Sequence, residues 1–431
     1  CYDRHGSVRW SHRMRGRAYA WPLIADVDGD GRGEVVVADQ EGVVSCLDHE
    51  GKLLWAPREL PDTVSAQQAI VFVPARGRRG LDIVAACDDG QVYWIDGATG
   101  GIIRATRVAG AAVTGLALWR HGGEERILAG TARGTLCRLS IGGELESAIT
   151  VAGDALAGAP AAADLDGDGH PEVVVASRDG MIVCIESGGK VRWSLQPDSQ
   201  LAIRLVADCA AGDLDGDGKA EIAVGSAQGR LFCIGEIDGA GAVLCTYGLE
   251  GSLDTPPRLA DLDGDGLLDV VISSADGDVC ALSLAASTRL WALRVARPVG
   301  NSLAIADTDG DGENEVLVTS GDGFIYCINL DGTTLWKHST RGKVDAGVLA
   351  ADIDADGRPE ILAAASGRRA YCLKGEGRRV RSMWRGADGE NGVVLDDSAF
   401  GRPVAADIDG DGAIEVLVAT SARSVYAIDR H

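Results

Sequence analysis

Positive charge is in short supply in this chain: 41 Lys and Arg stand against 64 Asp and Glu, a formal charge of −23 over 431 residues. A nucleic-acid binder displaces counterions with a basic footprint, so this balance argues against DNA or RNA as a partner. Long apolar runs are missing as well. No stretch approaches the roughly 18 apolar residues of a membrane-spanning helix, and the chain reads as soluble. Phe and Tyr number only 4 and 7. The seven His are scattered at positions 5, 12, 49, 121, 170, 338 and 431, so no acid, base and nucleophile gather visibly in one motif. Apolar residues nevertheless make up 46% of the chain, too many for a disordered acidic polymer. The acid therefore sits on a folded protein.

Its place is a repeat. The segment Ala163 to Gly180 (ADLDGDGHPEVVVASRDG) recurs at Gly212 to Gly229 and at Ala260 to Gly277, with related copies beginning at Asp26, Asp307, Asp352 and Asp407. Each aspartate-rich loop leads into a β-branched run, a Gly turn, a second run and another turn. A third run then often ends in Trp. Two further units, Leu81 to Ile103 and Arg126 to Leu145, keep the strand pattern without the aspartates. Short apolar runs bounded by Gly and Asp turns are strand signals, and nine units spaced in the mid-forties suit the blades of a β-propeller. The expected fold is all-β: one closed propeller of four-stranded blades across residues 1–431, nine in number with eight as the alternative. Blades are expected to begin near 21, 67, 112, 157, 209, 254, 301, 346 and 399. The last unit ends after its third strand, whereas Cys1 to Trp10 aligns with Cys46 to Trp55. Residues 1–15 are thus expected to complete the last blade and remove the open edges of the array.

The acidic loop has the chemistry of a metal site. In the fourth unit Asp164, Asp166, Asp168 and Glu172 occupy loop positions 1, 3, 5 and 9, and glycines between them let alternate side chains converge. Four carboxylates and a carbonyl suit the six to eight hard oxygen ligands of calcium better than the stricter octahedron of magnesium. Position 12 is Val175 here, Val37 in the first copy and Val224 in the fifth, which excludes an EF-hand. The same reading gives Asp26, Asp28, Asp30 and Glu34; Asp213, Asp215, Asp217 and Glu221; Asp261, Asp263, Asp265 and Asp269; Asp307, Asp309, Asp311 and Glu315; Asp352, Asp354, Asp356 and Glu360; and Asp407, Asp409, Asp411 and Glu415. Up to seven Ca2+ ions are expected, holding each blade's first strands together. These loops take 28 of the 64 acids, leaving 36 against 41 basic residues.

On these residues the chain resembles the FG-GAP or VCBS repeat class, which includes the calcium-binding blades of integrin α-subunit propellers. The tail V-Y-C-I-D-x-x-G-x-x-x-W resembles the tryptophan-docking repeats of quinoprotein-type propellers. The resemblance implies the fold and the calcium, but little about activity, because one propeller hosts many functions.

Eight Cys (1, 46, 137, 184, 233, 280, 327 and 372) read as one third-strand position, buried as small hydrophobes. Cys245 stands where other units have Trp. Trp10, Trp55, Trp193, Trp291 and Trp336 read as wedges between blades, while Trp21, Trp119 and Trp384 fall off that register. The second and third units carry Arg76, Arg78, Arg79 and Arg120 near where ligands should be, read either as ion-paired decay or as a basic notch for an anionic partner. The long connection Ser382 to Pro403 marks a candidate ligand face at Trp384, Arg385, Asp396, Asp397 and Phe400. The expected function is a non-enzymatic, calcium-stabilised module that binds a glycan or a protein. A polysaccharide lyase is the alternative, and a quinoprotein dehydrogenase a third reading, against which stands the lack of an adjacent Cys-Cys pair. Loops that fill at millimolar calcium point to the periplasm, cell surface or extracellular space. A chain starting at Cys1 rather than Met reads as a processed or trimmed product.

Overall fold

The computed structural model describes residues 8–17, 22–64, 69–198, 202–206, 208–296, 303–344, 347–385, 388 and 390–428. Cys1 and Trp21 lie outside them. Among the described residues every regular element is a β-strand, and none is a helix long and apolar enough to cross a membrane. Among the described residues the strands form nine antiparallel sheets, each with a four-stranded path that follows chain order in the first eight; these are blades 1 to 9 of the β-propeller fold.

Two compact units divide the chain. The unit of Cys1–Ala105 and Gly300–His431 holds blades 1, 2, 7, 8 and 9, although the last strand of blade 2, Ile102–Arg107, runs past its boundary. Blade 1 comprises Leu23–Ala25, Glu34–Ala38, Val43–Leu47 and Arg58–Glu59. In blade 8, Val348–Ala351, Glu360–Ala365, Arg369–Glu376 and Arg379–Ser382 are joined by a short extra strand, Val393–Val394, against the third. Blade 9 takes three strands from Ala399–Ala406, Glu415–Thr420 and Ser424–Ile428. Its fourth is Val8–Arg13, which runs antiparallel to Ser424–Ile428 with Trp10 opposite Ala427. The expected clasp between the two ends of the chain is present. The unit Thr106–Val299 holds blades 3 to 6.

The blades share one plan because they share one sequence pattern. Second strands such as Glu34–Ala38, Glu172–Ala176 and Glu315–Thr319 are buried at every residue, which explains their uniform β-branched composition. Outer strands alternate instead: in Thr334–Ser339 only Trp336 is buried. The register gives each Trp a fixed opposite number. Trp193 faces Cys184, Trp336 faces Cys327 and Trp291 faces Ala281. Each of three such tryptophans then reaches the following blade within its own unit. Trp10 donates to the His49 carbonyl at 3.0 Å, Trp55 to the Gly97 carbonyl at 2.9 Å and Trp193 to Glu236 at 3.0 Å. Gly51, Gly100 and Gly241 lie under these rings, where a Cβ would collide with the indole.

The register also corrects the cysteine reading. Cys46, Cys184, Cys233, Cys327 and Cys372 each face the third residue of the second strand. Cys280 faces Ile272, the fourth residue of its strand, and so points to the other side of its sheet. Cys137 is likewise one place early, since Arg138 holds its blade's Cys46 position when the turns are aligned on Asp39 and Thr131. Cys245 sits directly opposite Cys233, two free thiols facing each other where other blades set Trp against Cys or Ala.

Candidate metal centres

Each acidic loop joins the first strand of its blade, three residues long in blades 1 and 4 to 7, to a buried second strand, and backbone amides shape it. In blade 1 both Asp26 oxygens accept N–H bonds, from Gly29 at 2.7 Å and Gly31 at 3.1 Å. Asp28 accepts from Asp30 at 3.0 Å, Asp30 from Arg32 at 2.8 Å, and Glu34 from Val27 at 2.9 Å. These bonds recur in blades 4, 5, 6, 7 and 9 at the expected residues. The curl demands left-handed residues at positions 4 and 6; Gly29 and Gly31 have φ of 86° and 91°, values open to glycine at little cost.

One oxygen of each carboxylate at positions 3, 5 and 9 is thereby pinned by an N–H, and the others converge. Oxygens of Asp307, Asp309, Asp311 and Glu315 lie within 4.8 Å of one another, as do those of Asp26, Asp28 and Glu34, of Asp164, Asp166 and Glu172, of Asp213, Asp215 and Glu221, and of Asp261, Asp263 and Asp265. The fixed acid is buried in every acidic loop, with Glu34 only 1% exposed. Burial, reinforced by the neighbouring aspartates, pushes the Glu34 and Glu221 carboxyls up to about 7 and Asp269 up to about 6. An all-oxygen set strained by burial and mutual repulsion fits a hard divalent cation, which would neutralise it.

Blade 8 departs from the pattern. Its loop carries Asp352, Asp354, Asp356 and Glu360, with Ala355 at position 4 in a left-handed conformation, φ 53°. Lys374 on the third strand places its ammonium 2.8 Å from Asp354, 2.5 Å from Asp356 and 2.9 Å from Glu360. In blades 4 and 9 an arginine reaches position 3: Arg192 meets Asp166 at 2.9 Å and Arg9 meets Asp409 at 2.5 Å. Arg192 also forks onto Glu236 with two bonds of 2.6 Å.

The arginines of blades 2 and 3 divide. Arg78 turns inward, 2.6 Å from Asp82 and 3.4 Å from Asp96, and donates to the Val27 carbonyl at 2.8 Å. Arg120 is exposed and paired with Glu125 of its own hairpin at 2.7 Å. Arg76 and Arg79 are exposed. Of the candidate ligand face, Trp384 is 2% exposed and packs with Leu362, Cys372 and Tyr426, so it offers no ring to a ligand. Asp396 is bound to Thr420 at 2.8 Å and Ser424 at 2.5 Å. Asp397 accepts from the Ser398 amide at 2.8 Å. Arg385 is exposed, and the Phe400 side chain lies outside what is described. The structure thus ties most of this face into the fold. Trp119, 5% exposed, is also core.

A model of the FG-GAP-like repeat matches residues 164–224 and one of the FG-GAP repeat matches 209–244. The chain is a β-propeller with FG-GAP-type repeats. A model of the λ-carrageenase β-propeller domain matches its residues 1–107 and 269–344. No curated protein matches the chain. Among solved structures, Sqt1 of Saccharomyces cerevisiae is similar to this propeller at 13% identity and a TM-score of 0.63, covering 98% of this chain and 99% of that one. The computationally designed Ika8 protein reaches 19% identity and 0.55, covering 83% and 95%. BamB from Moraxella catarrhalis reaches 17% and 0.53, covering 84% and 94%. At these identities the likeness speaks for the fold alone.

Proposed function

We propose that this propeller is a calcium-stiffened binding module whose ligand is a glycan. The observation that carries the reading is the match of the λ-carrageenase propeller model to residues 1–107 and 269–344, a stretch that includes the acidic loops of blades 1 and 7. In those loops Asp26, Asp28, Asp30 and Glu34, or Asp307, Asp309, Asp311 and Glu315, would hold the ion. It would supply charge neutralisation and a rigid link between first and second strands. Millimolar external calcium would keep such loops filled, so we place the protein outside the cytoplasm.

A glycan array that includes carrageenans and polyuronic acids, read with calcium and with EGTA, tests this. Saturable binding to one glycan class supports the module, and binding to none rejects it. The same match favours a second reading, a polysaccharide-active enzyme. Release of new reducing or unsaturated ends from a bound polysaccharide would replace binding with catalysis.

A further inference from the structure

Three blades lack a clean metal loop, and in each a basic side chain of the protein itself stands at the corresponding place. In blade 2, Asp82 holds the register position of Glu34, since Val84 faces Trp94 as Val36 faces Cys46. Arg78 covers it and also donates to the carbonyls of Val27 and Arg79, at 2.8 and 2.9 Å. In blade 3 the acid itself is replaced: Arg126 holds the position, opposite Ser140, and pairs with Glu146 at 2.8 Å. Blade 8 alone keeps all four carboxylates together with an internal cation.

Lys374 lies one step beyond the Ile361–Leu373 pair, directly across from Glu360. The matching residues are Asp48 in blade 1, Glu186 in blade 4, Gly235 in blade 5, Ser283 in blade 6 and Asn329 in blade 7. None of these carries positive charge. We propose that the Lys374 ammonium is the resident cation of blade 8 and excludes a divalent ion from its loop, so that the propeller has six calcium sites where its acidic motifs number seven. The inference rests on the metal reading of the other loops. Three ion pairs of 2.5 to 2.9 Å to Asp354, Asp356 and Glu360 engage the oxygens that a metal would need. The side chain is almost wholly enclosed, with 10% of its area exposed. A calcium ion entering there would meet a buried like charge. The Arg192–Asp166 pair differs, since Arg192 meets one carboxylate of its loop and turns two further bonds to Glu236 outside it.

The test counts calcium per chain by equilibrium dialysis and mass spectrometry at saturating free calcium, on the wild type, Lys374→Asn and Lys374→Met. A reciprocal variant, Asn329→Lys, installs the lysine opposite Glu315 in blade 7. We expect six ions in the wild type, seven in both Lys374 variants and five in Asn329→Lys. Melting temperatures with and without calcium show that each variant is folded when counted. Should Lys374→Asn fail to fold, Lys374→Met and Asn329→Lys carry the same comparison. Equal counts in the wild type and the Lys374 variants overturn the assignment. If that shared count is zero, the metal reading of every loop falls too; if it is six or seven, only the role of Lys374 does.

Discussion

Gly100 offers a direct measure of how blade 1 is fastened to blade 2. A Cβ added there would lie within 2.5 Å of the Trp55 ring, and Trp55 is held by its bond to the Gly97 carbonyl and by a core that includes Ile83, Tyr93 and Ile95. Gly100→Ala therefore carries three costs. Its φ of 68° is left-handed, which costs an Ala about 1–2 kcal/mol, partly offset by about 0.4–1 kcal/mol from the less free unfolded chain. Moving the indole from its seat is overpacking, worth about 1–3 kcal/mol. Pulling Trp55 Nε1 from its acceptor adds about 1 kcal/mol. The expected loss is about 3–4 kcal/mol. Gly122→Ala is the control, because Gly122 has a similar φ of 57° and nothing within 4 Å of the new methyl; it should cost about 1 kcal/mol. Urea unfolding of calcium-saturated protein reads both. In a Trp55→Ala background the packing and hydrogen-bond costs vanish, so Gly100→Ala should fall to the control value, a coupling of about 2–3 kcal/mol. Equal losses for Gly100→Ala and Gly122→Ala, or an undiminished loss without Trp55, would refute the wedge.

Protons and calcium should compete for the loops. Burial raises Glu34, Glu221 and Asp269, so metal-free folded protein holds protons between about pH 4.5 and 7 that the unfolded chain has released. Its stability should fall as pH rises through that window, and calcium binding should release protons at pH 6 but hardly any at pH 8.5. Calorimetry in buffers of different ionisation enthalpy checks the release, and heat scans of EGTA-treated protein from pH 5 to 8 check the slope. Glu236→Ala should cost about 3 kcal/mol, because it strips Arg192 of its two 2.6 Å bonds and leaves a half-buried guanidinium with Asp166 alone; denaturant unfolding with no measurable loss would count against it. The bond shared with Cys233 holds the Cys245 thiol below its ordinary range, whereas that same bond, with burial, raises Cys233. Iodoacetamide should thus modify Cys245 with a rate midpoint below that of an ordinary thiol, and Cys233→Ala should move that midpoint up toward the ordinary range of about 8.5; an unmoved midpoint would assign the shift elsewhere.

What the sequence disclosed follows from how locally each feature is encoded. The loop ligands lie within nine residues, and the amides that pin them lie within the same nine. Asp164 to Glu172 could therefore be read as a site without knowing the fold. The strands and the clasp were legible because burial imposes a composition on every copy, as in Glu34–Ala38 and its equivalents. Lys374 was not legible. It stands 14 residues beyond Glu360, on the next strand, and only the antiparallel register brings it opposite that acid. Arg78 is hidden in another way: its loop looks like a decayed motif, yet its guanidinium seals Asp82 and a carbonyl of the preceding blade. Trp384 misled because a long connection reads as exposed, whereas Leu395 and Val393 of that same connection fold back into the core beside it. Cys280 misled by a single residue, the smallest slip that turns a strand's side chain to the opposite face. The common cause is that motif reading counts ligands along the chain, while charge is balanced across strands. In blades 2, 3 and 8 the four-stranded path stands with a basic side chain at the place of the acidic loop, drawn from the loop itself (Arg78), from the second strand (Arg126) or from the third (Lys374).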